Sequence, residues 1–168
     1  MGIVNDFKTG QAGEQQVIDL YEGLGFYSWG NPSRKVKDLA KWDIGADNEQ
    51  LRFFTEVKND VYAEKSGNIA IEVYNPKSGK PSGIYVTEAE VWCHITDGLY
   101  FTGVTRLKQY VESTTPFKII DRAGDGNATI YLFKKHVLFP SIFERLDNRD
   151  SEEALDILSG IIDSERKS

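Results

Sequence analysis

The chain has 168 residues, of which 40% are hydrophobic and 12% aromatic, which suits one packed domain rather than a disordered chain. Its formal net charge of −6 argues against a general nucleic-acid binder, whose phosphate contacts draw on Lys and Arg. No apolar run reaches the roughly 18 residues of a membrane span, and the single cysteine, Cys93, excludes an internal disulfide and a cysteine-rich metal site.

The first residues, MGIVNDFKTG, show neither a basic segment followed by an apolar one nor a myristoylation pattern, so a cytosolic chain is expected. Residues 9–24 read as a helix, with Val17, Leu20, Tyr21 and Leu24 at helical spacing and Gly25 as a stop. GFYSWGNPS then suggests a short strand and a turn. WDIGAD (42–47) and LRFFTEVK (51–58), separated by the polar turn DNEQ, predict a hairpin. NIAIEVY (68–74) alternates as a further strand, and NPKSGKPSG (75–83) is a loop by composition. A short helix is expected over 87–95, a strand over 99–105, a helix over 106–113 and a strand pair around RAGDGN. The chain closes on an amphipathic helix, with Ser151 as the expected N-cap and Leu155, Leu158, Ile161 and Ile162 as its stripe. There is no internal repeat. The element order predicts an α/β (α+β) domain: a mixed β-sheet core flanked by helices.

Charge is unevenly spread. Residues 141–168 hold eight acidic and four basic residues, whereas SRKVKDLAK (33–41) holds four basic residues and one acid. Arg34, Lys35, Lys37 and Lys41 there form either a phosphate-facing patch or a solvated loop.

The informative stretch is FFTEVKND (53–60), an apolar strand interrupted by charge. Residues two apart share a strand face, so Arg52, Phe54, Glu56 and Lys58 lie on one side and Phe53, Thr55 and Val57 on the other. Pairing with 42–47 brings Asp43 near Glu56, and two such carboxylates repel unless a cation lies between them. Mg²⁺ suits such a pair, because it takes oxygen ligands and keeps several waters. Glu14 extends the apolar stripe of the first helix, beside the small Gly10 and Gly13, so it points at the same place. The alternative is that it merely begins the helix and complements its dipole.

Glu14, Asp43 and Glu56-Val57-Lys58 together resemble the PD-(D/E)XK nuclease superfamily, whose core strand pair bears D…(D/E)-x-K, often with a Glu from the preceding helix. The proline of the motif name is absent, since Trp42 precedes Asp43. TEVKND, GNIAIEVYNPKSGKPSGIYVTEAEVW and the later GDGN look like small phage or bacterial members, over roughly residues 8–135. The resemblance implies a restriction-endonuclease-like core over 1–140, with 141–168 as an acidic helical extension of the same domain. It implies that Asp43, Glu56, the Val57 carbonyl and Glu14 hold Mg²⁺ or Mn²⁺ against a DNA phosphate. Lys58 would orient the attacking water or stabilise charge on the phosphorane oxygens. A duplex has two strands to cut, so a homodimer, or a phage or host recombination or replication partner, is compatible with that role.

Weaker signals surround the motif. Glu72 is either a further site residue or a partner of Lys58. GKPSG (79–83) is not a phosphate-binding Walker loop, though Lys80 and Ser82 are candidates for DNA backbone contact. GDGN fits a hairpin turn better than a Ca²⁺ loop, and His94 and His136 stand alone in sequence. Two other readings remain: a catalytically inactive nucleic-acid-binding module of the same fold, and an interaction protein using its acidic C-terminal helix.

Overall fold

Helix α1 (Ile3–Gly23) buries Val17 and Tyr21, with Leu24 just beyond its end, and the chain leaves it through Gly25 at φ 93°, a left-handed conformation that glycine adopts freely. The computed structural model describes residues 3–36, 39–123 and 126–168. Because α1 starts at Ile3, Glu14 lies in mid-helix, and the reading of Glu14 as a helix-start residue is excluded.

Strands β1 (Tyr27–Gly30) and β3 (Arg52–Asn59) each pair antiparallel with β2 (Ile44–Asp47) between them, with Ile44 opposite Thr55 and Asp47 opposite Arg52. The expected hairpin is therefore present, and Asp43 sits one residue ahead of its first strand. A four-residue helix α2 (Ala63–Ser66) leads to β4 (Asn68–Asn75), which pairs with the short β5 (Lys80–Pro81) before a 3₁₀ turn at Gly83–Tyr85. Then β6 (Val91–Ile95) returns to lie parallel to β3, with Glu56 opposite Trp92 and Lys58 opposite His94. The remaining elements are β7 (Leu99–Gly103), α3 (Val104–Ser113), β8 (Lys118–Ala123), β9 (Ala128–Lys134), α4 (Lys135–Ile142), β10 (Glu144–Arg145) and α5 (Ser151–Arg166).

The mixed α+β architecture thus holds two sheets: a six-stranded one in the order β1-β2-β3-β6-β7-β10 and a four-stranded one in the order β5-β4-β9-β8. One face of the larger sheet is covered by α1 and α5, where Val17, Tyr21, Phe53, Phe101, Leu158 and Ile162 form a continuous core. The other face meets the smaller sheet, α3 and α4 through a second core that includes Ile69, Ile71, Trp92, Leu107, Phe133 and Leu138.

Three local expectations change. Residues 91–95 are a strand, not part of a helix, and all five are buried, because a central strand covered on both faces loses the alternation that reveals it. Helix α4, which contains Pro140, was not expected. The cap of α5 is Asp150 rather than Ser151, its carboxylate accepting the Glu153 N–H at 2.8 Å. Among the described residues, no helix is long and apolar enough to cross a membrane.

Candidate active site

Asp43 is held by its backbone. Its N–H donates to Thr55 O at 3.0 Å, and its carbonyl accepts the Asn31 N–H at 2.8 Å. The Asn31 side chain in turn donates to the carbonyls of Trp42, at 2.9 Å, and Leu39, at 3.2 Å. The β2–β3 ladder ends at Ile44 and Thr55, so among the described residues Val57 has no backbone ladder partner on that side. Asp43 Oδ2 takes its place and accepts the Val57 N–H at 2.8 Å. A strand residue directs its N–H and C=O toward the same neighbour, so the Val57 carbonyl points into the vacated lane beside the Asp43 carboxylate.

On the face of β3 turned away from α1, Lys58 Nζ lies 3.0 Å from Glu56 Oε1, while Thr87 Oγ1 donates to Glu56 Oε2 at 3.1 Å. The Lys58 side chain is 38% exposed and that of Glu56 13%. Glu14 reaches the site because Gly13 lets α1 approach closely: a Cβ there would stand 3.0 Å from Asn59 Cβ and 3.1 Å from Ile95 Cδ1. The Asn59 amide fixes this seam by donating to Thr9 O at 2.9 Å. Gly10 does not serve the approach, since a Cβ there would meet nothing within 4 Å.

A cleft of about 430 Å³ is lined by Thr9, Gly10, Glu14, Asp43, Val57 and Lys58, among others. A second hollow of about 260 Å³ adjoins Lys58 from the smaller sheet's side and is walled by Asp60, Glu72, Trp92, His94 and Ile130. Glu56 lines neither; both its oxygens are engaged as described. A wider hollow of about 850 Å³, between Tyr74, Tyr85, Arg122 and Tyr131, contains none of these acids.

The charges interact. Burial, and then the Glu56 charge, push Asp43 up to about 7 against the pull of Lys58 and the Val57 amide. Burial likewise raises Glu14, opposed by Arg34 and assisted by Glu56. Burial raises Glu72, opposed by Lys58. Lys58 is held above the usual lysine range, first by Glu56 and against its own desolvation, with Asp43 and Glu72 adding to the effect. The cluster therefore carries more negative charge than its two cations neutralise.

The groups around the cleft are oxygen donors: the Asp43 carboxylate, the Val57 carbonyl and Glu14 from α1, with Glu56 beyond Lys58. Such a set fits a hard divalent cation that keeps much of its water. Among the described residues, no three His, Cys, Asp or Glu side chains are grouped so as to hold a metal ion, so an all-protein cage is not what the site offers.

No family model and no curated protein matches the chain. Among solved structures, a bacterial homing endonuclease, I-Ssp6803I, aligns over 89% of this chain and 90% of its own, at 14% identity and a TM-score of 0.42. A likeness that slight carries no weight for fold or function here.

The expected phosphate-contacting residues fare differently from the acids. Arg34 turns inward, its Nη1 3.0 Å from Glu14 Oε2, and so belongs to the cleft's charge balance. Lys35 is exposed, Lys41 is half-buried, and Lys80 is exposed on β5. Lys37 lies outside the described residues, as does part of GDGN. The Ser82 hydroxyl is buried and has no hydrogen-bond partner among the described residues, so a DNA phosphate could not reach it in this structure. Sequence reasoning missed Asn31, Thr87, Asp60, His94 and Trp92. Only Asn31, which precedes a proline in the turn GNPS, left a local trace.

Proposed function

We propose that this chain is a metal-dependent nuclease that hydrolyses phosphodiester bonds in DNA, built on the PD-(D/E)XK plan that its motif resembles. The observation that carries the reading is the junction of β2 and β3. There Asp43 replaces a missing ladder partner, leaving its carboxylate and the Val57 carbonyl side by side in a cleft that Lys58 also lines.

In this reading Asp43, Glu56 and the Val57 carbonyl hold Mg²⁺ or Mn²⁺, with Glu14 completing the set or holding a coordinated water. When bound, such an ion neutralises charge on the scissile phosphate and lowers the pKa of the attacking water. Lys58 has three N–H donors and gives one to Glu56, which leaves donors for the water or for a phosphorane oxygen. Thr87 and Asn31 keep Glu56 and Asp43 in place. Arg34 is occupied with Glu14, so it balances the cleft rather than binding DNA from outside.

A chain of net charge −6 suits recognition of a DNA structure, such as a junction, flap or nick, over broad backbone binding. Residues 141–168 serve as an extension of the core formed by 1–140. The enzyme works in a bacterial or phage-infected cytoplasm, as a homodimer or beside a replication or recombination partner.

The test is a panel of end-labelled linear duplex, single strand, flap, nicked duplex and four-way junction, each with Mg²⁺, Mn²⁺ or EDTA. Metal-dependent cutting that is lost in Lys58→Ala is the expected result. Binding that persists in EDTA, with no cutting of any substrate, would replace the nuclease with an inactive binding module.

A further inference from the structure

The hollow behind Lys58 contains polar groups that phosphodiester chemistry leaves unused. His94 is fully buried and lies between Trp92 and Asp60. The Trp92 indole Nε1–H donates to His94 Nδ1 at 3.2 Å, and His94 Nε2 lies 3.0 Å from Asp60 Oδ2. An indole N–H can only donate, so Nδ1 must accept and the imidazole proton sits on Nε2, aimed at Asp60. Asp60 Oδ2 also accepts the Ala70 N–H of β4 at 3.1 Å. Burial pushes Asp60 up, but the bonds from His94 and from the Ala70 and Ala63 amides outweigh it and hold the carboxyl below its usual range.

This chain of contacts ends at the active cleft. Trp92 and His94 stand opposite Glu56 and Lys58 on the parallel ladder, and Lys58 Nζ lies 5.8 Å from the centre of the Trp92 ring, within cation–π range. An apolar residue would fill the place of His94 without the cost of burying an imidazole and a carboxylate, so every partner must be satisfied, as it is here. What the polar solution adds is orientation: the indole plane is fixed through its nitrogen, and the ring fixes one side of the ammonium.

We propose that Asp60, His94 and Trp92 form a positioning relay that holds the Lys58 ammonium in place and ties it to the smaller sheet. The catalytic part of this inference rests on the nuclease reading; the structural part does not. None of the three touches the reacting atoms.

The experiment reads the metal-free, ¹⁵N-labelled full chain by NMR, following the Lys58 ammonium and Trp92 indole signals, with Lys58→Ala as the assignment control. His94→Leu and Asp60→Leu are expected to move the indole signal and to broaden or shift the ammonium. Asp60→Asn, which keeps an acceptor oxygen, should restore both. On the preferred substrate His94→Leu should lower kcat about 10- to 100-fold, with KM changed by no more than about twofold. An ammonium signal unchanged in both Leu variants overturns the relay. If those variants fail to fold, Trp92→Phe removes the N–H and keeps a ring, and an unchanged ammonium there overturns it equally. A wild-type protein that cuts nothing overturns the nuclease reading instead, and the NMR result still decides the relay.

Discussion

The two faces of β3 are separated by nothing more than a single residue step, yet they do opposite work. Phe53, Thr55 and Val57 face α1 and are 0%, 0% and 8% exposed, with Phe53 and Val57 joined to a core that also includes Tyr21 and Phe101. Phe54, Glu56 and Lys58 face the other way, where packing gives over to charge as the strand leaves its partner β2. The first face gains free energy by removing apolar area from water; the second spends some of it by crowding acids together. A strand can carry both because its period of two keeps them apart, so stability and chemistry should respond to different substitutions in adjacent positions.

The largest effect should come from breaking the apolar face. Phe53 is fully buried, with its ring edge-on to Tyr21 at 5.2 Å and to Phe26 at 5.3 Å between centroids. Phe53→Ala removes that area and leaves a cavity, at a cost of about 3–5 kcal/mol. Chemical denaturation should show a lower midpoint, whereas a change under 1 kcal/mol, by the same scale, would mean that the core collapses around the gap.

Substitution on the charged face should have the opposite sign. Asp43 is raised to about 7 when folded, above its ordinary value when unfolded, so the metal-free protein loses stability as pH rises from about 4 to 7. Asp43→Asn keeps an oxygen to accept the Val57 N–H and removes the charge. At pH 8 it should stabilise the metal-free protein by something on the order of 1–3 kcal/mol, a gain that shrinks below pH 7 and vanishes below the unfolded carboxylate's pKa. Calorimetric titration with Mn²⁺ should show binding lost in the same variant. A metal-free stability that falls at pH 8 would mean that Asp43 is structural.

The sequence displayed this division unevenly. The hairpin was legible because its alternation and its polar turn are both local, and Glu56-Val57-Lys58 stood out against apolar neighbours. Glu14 was legible through its spacing from Val17 and Ile18, three and four residues on along the helix. Trp92 and His94 were not, because β6 is buried on both sides, His94 included, and a strand buried at every position has no period to read. The alternation of β4 told which residues share a face but not that the strand belongs to a separate sheet, since pairing with β9 spans a long stretch of chain. The inward turn of Arg34 depended on α1 docking against β3, a tertiary fact that a run of basic residues does not encode.

A smaller effect sharpens the apolar face from within. Tyr21 and Thr55 share a buried hydrogen bond at 2.7 Å, a polar pair inside the core. Tyr21→Phe leaves Thr55 Oγ1 without that partner and should cost about 1–2 kcal/mol in thermal or chemical unfolding. Metal binding on the opposite face should remain as in wild type; a matching loss there would show that the two faces are coupled through the strand.

The smallest stability effect tests the seam where the two functions meet. Gly10 and Gly13 both lie within α1, where alanine is favoured over glycine by up to about 1 kcal/mol. At Gly10 a Cβ meets open space, so Gly10→Ala should realise that gain. At Gly13 the new methyl presses on Asn59, whose amide is tied to Thr9 O and whose Cβ is anchored on β3, so little of the gain survives. The two variants should therefore differ by about 1 kcal/mol in stability, with Gly13→Ala the weaker. Gly13→Ala should also weaken Mn²⁺ binding, because the helix that moves away carries Glu14 with it. Equal Mn²⁺ affinities in the two variants would place Glu14 outside the metal's reach and leave Asp43, Glu56 and the Val57 carbonyl as its holders.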